Sequence, residues 1–451
     1  MLYMHVALNF ILQLYKVIHG GGSMQDTLIL KGHILYTPNP AQLVAIPHGY
    51  IVAVDGVVVH CSETLPSSYE GLPVVDYGDQ LIIPGFVDTH AHAPQYCNRG
   101  LGMDKELLPW LETYTFPEET KFKDPEYARL VYGAFVRDLW RHGTTRSILF
   151  GTIHKDSTVV LMELLQEAGL SALVGKVNMD RNSPDFLIET TQQSLEDTKA
   201  WLEASKSFGP LVKPIITPRF VPSCTSELMR GLGELAKEYD VPVQSHLSEN
   251  HGEIEWVASL HPESPSYTDV YYEHQLMGQT PTVMAHCIHL SDAEMDRMEE
   301  TQTMVSHCPY SNVNLSSGIA PIRKLLDHHI PVGLGSDISG GHAVSMAKVL
   351  MEAIGLSKMK WVEVDHQYAP LTLSEAFYLA TKGGGTFFGK VGSFEEGYEL
   401  DALVIDDRSM FDANERSLEE RLERWIYIGD DRHIMKRYVA GRLLEEPKEC
   451  T

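Results

Sequence analysis

His90 and His92 stand one residue apart in Pro84-Gly85-Phe86-Val87-Asp88-Thr89-His90-Ala91-His92, directly after the apolar run Leu81-Ile82-Ile83. Side chains alternate along a strand, so residues i and i+2 share a face. The two imidazoles therefore project together from a strand end, at a reach that suits one metal ion. Pro84 and Gly85 mark a turn into that strand. A lone His-x-His pair is common in cores and on surfaces. This one gains weight because ligand-type residues recur at the ends of later strand-like runs. Ser245-His246-Leu247-Ser248-Glu249 closes one such run, Ala285-His286 another and Gly335-Ser336-Asp337 a third.

Imidazoles and a carboxylate converging on one pocket suit a divalent metal such as zinc or iron(II). A bound metal lowers the pKa of its water and generates a hydroxide nucleophile. Glu249, just past His246, is placed to take a proton from that water and pass it to substrate. His286 could stabilise a developing oxyanion, and Asp337 could bind metal and accept the nucleophile's proton. Each residue alone could equally be a satisfied core residue. Buried polar groups at four strand ends with no shared task would be costly.

The elements that must position these residues are legible as alternating texture. From Leu28 to Leu81 the chain reads as short strands, among them Tyr50–Val54 and Val57–Val59 around a hairpin at Asp55-Gly56. Eight apolar runs then alternate with helix-like stretches: Leu81–His92, Thr145–Phe150, Ala172–Met179, Val212–Pro218, Val241–His246, Thr282–His286, Met304–His307 and Val332–Asp337. Helix candidates between them include Pro125–His142, Ser157–Ala168, Glu189–Ala204, Ser226–Tyr239, Asp292–Thr301 and Pro321–His328. The end returns to short strands at Asp401–Ile405, Trp425–Ile428 and Arg437–Val439. The expected fold class is α/β, a (β/α)8 TIM-type barrel with a small β-sandwich domain formed from the N- and C-terminal segments. The barrel is expected over residues 84–384 and the small domain over 24–83 and 385–451. A doubly wound open sheet is the alternative, which the count of eight disfavours.

Composition narrows the partners. Among 451 residues, 43% are apolar and 22% charged, as in a soluble globular protein with a large core. The net charge of −25, with no basic block, argues against nucleic acid or an anionic membrane as partner. Six scattered cysteines without a C-x-x-C pair read as free thiols in a reducing compartment, hence a cytoplasmic location. Met1–Ile18 is apolar but interrupted by His5, Asn9, Gln13 and Lys16, and lacks signal-peptide features. Gly20-Gly21-Gly22-Ser23 before Met24 reads like a translated ribosome-binding site, so residues 1–23 are expected to be a non-native or disordered extension.

Longer motifs carry a family resemblance. They are PGFVDTHAHAPQY (84–96), PWLETYTFPEE (109–119), FGTIHKDS (150–157), GKVNMD (175–180), KPIITPRF (213–220), QSHLSEN (244–250), SHCPYSNVNLSSG (306–318), GLGSDISGG (333–341) and YIGDDRHI (427–434). From about Met24 onward the chain resembles the metal-dependent amidohydrolases and, within them, the barrel-type guanine deaminase family. The resemblance implies one zinc ion, or iron(II), held by His90, His92, His246 and Asp337, with Glu249, His286 and Asp337 catalytic. It implies a substrate pocket of His92, Gln95, Arg219, Phe220, His246, Glu249 and Asp337, a homodimer, and hydrolysis of guanine to xanthine and ammonia in purine catabolism. Gln95 could pair with a purine edge, Arg219 could donate to the 6-oxo group, and Phe220 offers an apolar face. Relatives with two metals carry a bridging lysine at the fourth strand end; here that end is Thr217-Pro218-Arg219-Phe220 and Lys213 comes too early, which favours one metal. Pro94, Tyr310 and Ile288-His289 depart from the family pattern, and Pro94 and Tyr310 could reshape the pocket rim.

Other readings compete. Gly384–Lys390 has phosphate-loop spacing, but Val391 replaces the required hydroxyl residue and no strand feeds it. Gly231-Leu232-Gly233 lies inside a helix candidate and is no dinucleotide fingerprint. A sibling deaminase acting on 8-oxoguanine, a pterin or a triazine would share the metal site and differ in the pocket. A non-catalytic scaffold should have lost ligands, yet each one is present.

Overall fold

The computed structural model describes residues 26–448, so the extension expected at residues 1–23 lies outside the described residues. One sheet draws on both ends of the chain. Thr27–Asn39 and Gln42–Val54 pair antiparallel, Val57–Ser62 returns along the second, and Val75–Pro84 runs parallel to the first. Ala402–Ile405, Ile434–Val439 and Arg442–Leu443 extend it beyond Val75–Pro84 into a single seven-stranded sheet. The terminal segments expected to make a sandwich are built as this one sheet. At the Asp55-Gly56 hairpin both turn residues have positive φ, 51° and 81°, which matches the twist of the flanking strands. Gly56 is also needed for space, since a Cβ there would lie 2.3 Å from the Ala440 carbonyl oxygen.

The parallel strands form two four-stranded sheets. Phe86–His92, Thr144–Phe150, Ser171–Gly175 and Val212–Pro214 make one; Val243–Leu247, Thr282–His286, Met304–His307 and Val332–Leu334 make the other. A parallel bridge between Ile216 and Val243 joins them on one side. On the other, the Asp337 amide donates to the His90 carbonyl at 2.8 Å and the His92 amide to the Ile338 carbonyl at 2.7 Å. Helices alternate with the strands, including Pro125–Arg141, Lys155–Ala168, Thr191–Ser205, Ser226–Tyr239 and Asp292–Thr301. Asp124, Thr190, Thr225 and Ser291 cap four of them by accepting a first-turn amide. Alternate strand residues divide between two apolar clusters. Leu149, Val174, Ile216 and Val305 pack with the helices, whereas Ile148, Leu173, Ile215, Val283 and Met304 pack on one another. No helix among the described residues is long and apolar enough to cross a membrane.

Several strand readings need correction. The run Leu81–His92 is two strands, divided at Gly85, whose amide donates to Asp401 O at 3.1 Å. Its first half belongs to the seven-stranded sheet and its second half opens the parallel set; both are buried, so apolarity alone cannot show the break. Trp425–Ile428 is the last turn of a helix, Leu418–Ile428, started by a capping box between Ser417 and Glu420. Leu422, Trp425 and Ile426 form its buried face, and Trp425 stacks on Phe86 at 6.1 Å. The third and fourth parallel runs are each broken, leaving Val177–Asn178 and Thr217–Pro218 as a separate pair. Lys176 stands at the first break, fully buried, with Nζ 2.8 and 2.9 Å from the Glu189 carboxylate oxygens.

Candidate active site

Strand ends that are far apart in sequence meet. His90 Nε2 lies 3.2 Å from Asp337 Oδ1, and His92 Nε2 lies 3.6 Å from the same oxygen. His92 Nε2 and His246 Nε2 face each other at 3.1 Å. His286 Nε2 is 3.4 Å from Glu249 Oε2 and 3.8 Å from Asp337 Oδ2. The backbone is shaped to allow this: His286 and Asp337 have φ of 71° and 46°, left-handed values that residues other than glycine seldom adopt. Gly335 leaves the room required, since a Cβ would come within 2.9 Å of both His90 Cβ and Cys308 Sγ.

The donor set fits a divalent metal. His246 Nδ1 donates to the Arg219 carbonyl oxygen at 2.6 Å, which leaves its Nε2 as a lone-pair donor aimed at His92. His90 Nε2 is buried and, although 3.2 Å from Asp337 Oδ1, makes no well-aligned hydrogen bond. Burial, then the neighbouring imidazoles, pushes His92 and His246 well below the ordinary imidazole value, so both are neutral at pH 7. Burial opposes ionisation of Asp337, but His90, then His286 and His92, pull it well below the usual carboxylate range. The candidate ligand atoms of His90, His92 and Asp337 lie within 4.8 Å of one another, as do those of His90, His246 and His286, and imidazoles beside a carboxylate are what zinc-type sites use. Asp88 braces the rim: its carboxylate accepts from the Ser336 amide at 2.9 Å, Ser336 Oγ at 2.5 Å and the His90 amide at 3.2 Å.

Glu249 stands beside this cluster, its Oε2 3.4 Å from His286 Nε2. Burial first, then Asp337 and Glu253, raises its carboxyl well above the usual value. Ser317 Oγ donates to Glu249 Oε1 at 3.3 Å, which leaves Oε2 toward His286. The Glu249 amide donates to Glu253 Oε2 at 3.0 Å, and Tyr267 OH to Glu253 Oε1 at 2.6 Å, so the loop after the fifth strand is fixed. His286 Nδ1 donates to Asn312 Oδ1 at 3.1 Å.

Gln95, Arg219 and Phe220 line the same pocket as His92, His246, Glu249, His286 and Asp337, with Leu107, Trp110, Leu111 and Leu315 as apolar wall. Pro94 and Tyr310 are not among the lining residues; Pro94 is buried in a turn and the Tyr310 ring packs 4.4 Å from His342. Their expected effect on the rim is therefore not direct. His289 Nε2 donates to the Ser317 carbonyl at 2.8 Å. Lys213 is exposed, away from the pocket.

The family model described as "Amidohydrolase family" matches residues 81–444. This chain belongs to the amidohydrolase family. It is similar to a guanine deaminase of Dictyostelium discoideum, 43% identical over 446 residues that span 92% of this chain and 98% of the other. Among solved structures it is similar to a C. acetobutylicum guanine deaminase with guanine bound in the active site, with a TM-score of 0.91 and 52% identity over 93% of this chain and 100% of that one. An E. coli guanine deaminase structure gives a TM-score of 0.82 at 35% identity, over 94% of this chain and 100% of that one.

Sequence reasoning about this amidohydrolase overlooked Glu119, Ser317, Asn312 and Asp88. All lie inside motifs quoted for the resemblance, and each has a partner between 24 and 248 residues away. Only Asp88 carries a local signal, being two residues before His90 on the same strand.

Proposed function

We propose that this amidohydrolase hydrolyses guanine to xanthine and ammonia, with one zinc ion bound by His90, His92, His246 and Asp337. The observation that carries the substrate is the likeness, at 52% identity along nearly the whole chain, to a guanine deaminase crystallised with guanine in its active site. The lining of this chain's own pocket agrees, with Gln95 and Arg219 as polar wall beside Glu249.

A divalent metal held there would make water acidic enough to serve as nucleophile at neutral pH. The protein's own groups then handle the protons. Glu249, whose carboxyl burial favours in the protonated form, would give a proton to ring N3 as oxygen bonds to C2 and would be recharged by the first proton that the water releases. Asp337 takes the second and passes it to the amino nitrogen, so the C2–N bond breaks with ammonia leaving. His286, turned toward Glu249 and Asp337, would stabilise the oxygen on which charge develops when protonated at Nε2 as well as at Nδ1. Arg219 and Gln95 orient the ring and Phe220 covers one face.

The two parallel sheets are read as one closed (β/α)8 barrel over residues 84–384, supported by the Ile216–Val243 bridge and the bonds from Asp337 and His92 across the other seam. Residues 24–83 and 385–451 are read as the small β domain, a reading supported by the one sheet that their described strands share. A homodimer, a cytoplasmic location and a place in purine catabolism rest on the family resemblance and the free thiols.

The test is a substrate panel. Metal-loaded protein is incubated with guanine, adenine, cytosine, 8-oxoguanine and a pterin, and ammonia is followed. Release from guanine far above the rest is expected. Release from another ring alone would move the activity to a sibling deaminase.

A further inference from the structure

Glu119 is a buried carboxylate that neither the metal cluster nor the proton path uses. It lies in a helical segment that lines the pocket, where Leu107–Trp110 passes through a π-helical turn at Leu111–Thr115 into Phe116–Glu119. Its two oxygens are divided between two pocket residues. Gln95 Nε2 donates to Oε1 at 2.8 Å and Arg219 Nη1 to Oε2 at 2.6 Å, with all three side chains almost wholly buried. Phe116, from the same turn, lies under the Arg219 guanidinium at 5.3 Å.

This bridge dictates which atoms the pocket can offer. An amide has two N–H donors and one oxygen with two acceptor sites. Glu119 takes one N–H of Gln95, and the Gln95 oxygen accepts from the Ser339 amide at 3.2 Å and Ser339 Oγ at 3.4 Å. What remains for a ligand is an N–H. Arg219 has donors only.

We infer that Glu119 is a specificity-determining positioning residue: by bridging Gln95 and Arg219 it makes the polar wall of the pocket donor-only, which selects a purine carrying an oxo group at that edge over one carrying an amino group. A 6-amino group would set donor against donor, and a buried donor without an acceptor is penalised strongly. The inference rests on guanine being the substrate and on Gln95 and Arg219 facing it.

The probe is 2,6-diaminopurine, which keeps the reacting 2-amino group and replaces only the 6-oxo group. Wild type and Glu119→Gln are compared on guanine and on 2,6-diaminopurine, with zinc content and thermal midpoint measured alongside. A glutamine here replaces one of the two carboxylate oxygens with an NH2 donor, so one of the two bonds is lost, and with its oxygen kept on Arg219 the Gln95 amide is free to turn. The expected result is a KM for guanine raised about tenfold or more, kcat within about threefold, and a guanine preference reduced about tenfold. Glu119→Asp, too short to reach both partners, serves where the glutamine variant fails to fold, and a reduced preference is expected there too. An unchanged ratio, or equal loss of kcat on both purines, overturns the role of Glu119 while wild-type guanine turnover leaves the proposed activity standing. Absence of wild-type turnover on guanine overturns both.

Discussion

His246 donates from Nδ1 to the carbonyl oxygen of Arg219 at 2.6 Å, so an imidazole of the metal cluster and a residue of the substrate wall hold each other in place. The bond fixes the tautomer that leaves His246 Nε2 free, and it sets the backbone from which the Arg219 guanidinium enters the pocket. In the proposed function, metal binding at His246 and substrate orientation by Arg219 are coupled through this one hydrogen bond.

Replacing His246 should show that coupling. His246→Ala is expected to lower zinc affinity by more than the roughly 10–100-fold typical of losing a supporting partner. With metal restored by excess zinc, KM for guanine should remain elevated. Competition with a chromogenic chelator and steady-state kinetics at saturating zinc give the two values. Normal KM at full occupancy would contradict the coupling.

Glu249→Gln keeps the shape of the side chain and removes its proton exchange. Zinc content and thermal midpoint should stay near wild type while kcat falls about 10²–10⁴-fold. Near-wild-type turnover would remove Glu249 from the proton path.

Ser317 offers a finer test of the same group. Its hydroxyl donates to Glu249 Oε1 and assigns Oε2 to the side facing His286. Ser317→Ala should lower kcat by about fivefold to tenfold, the effect of one hydrogen bond worth about 1 kcal/mol, with Ser317→Thr recovering most of it. Equal kcat in alanine and wild-type enzymes would show that the bond does not matter to turnover.

Acid stability should carry the mark of His307. Burial, then His286, pushes this imidazole down to about 3, and its Nδ1 is buried without a partner. The unfolded chain takes up a proton near the ordinary pKa that the folded chain refuses. Its contribution is thus intact above about pH 6.5 and is lost as pH falls toward 3, by about 2 kcal/mol at pH 5. Urea unfolding at pH 7.5 and 5.0 should show a smaller acid loss for His307→Asn than for wild type. Equal losses would place the acid sensitivity elsewhere.

What the sequence made legible follows from physical periodicity. Ligand-type residues at the ends of successive apolar runs exposed His90, His92, His246, His286 and Asp337 as one set, because parallel strands bring their C-terminal ends to one side. The division at Gly85 was hidden, since both halves of Leu81–His92 are buried and a change of sheet leaves no mark in hydropathy. Trp425-Ile426-Tyr427-Ile428, taken without the preceding turns, looks like a strand, whereas it ends the helix Leu418–Ile428. Glu119 was illegible for another reason. Its neighbour Glu118 pairs with Lys121 and Tyr127, and only partners 24 and 100 residues away distinguish the two glutamates.

The most direct measurement is product formation from guanine by the zinc-loaded protein, followed after chelation and again after zinc is restored. One xanthine and one ammonia per guanine, lost with the metal and regained with it, is the predicted result. Guanine turnover that persists in protein shown to be metal-free, or no xanthine from the fully loaded enzyme, would contradict the account.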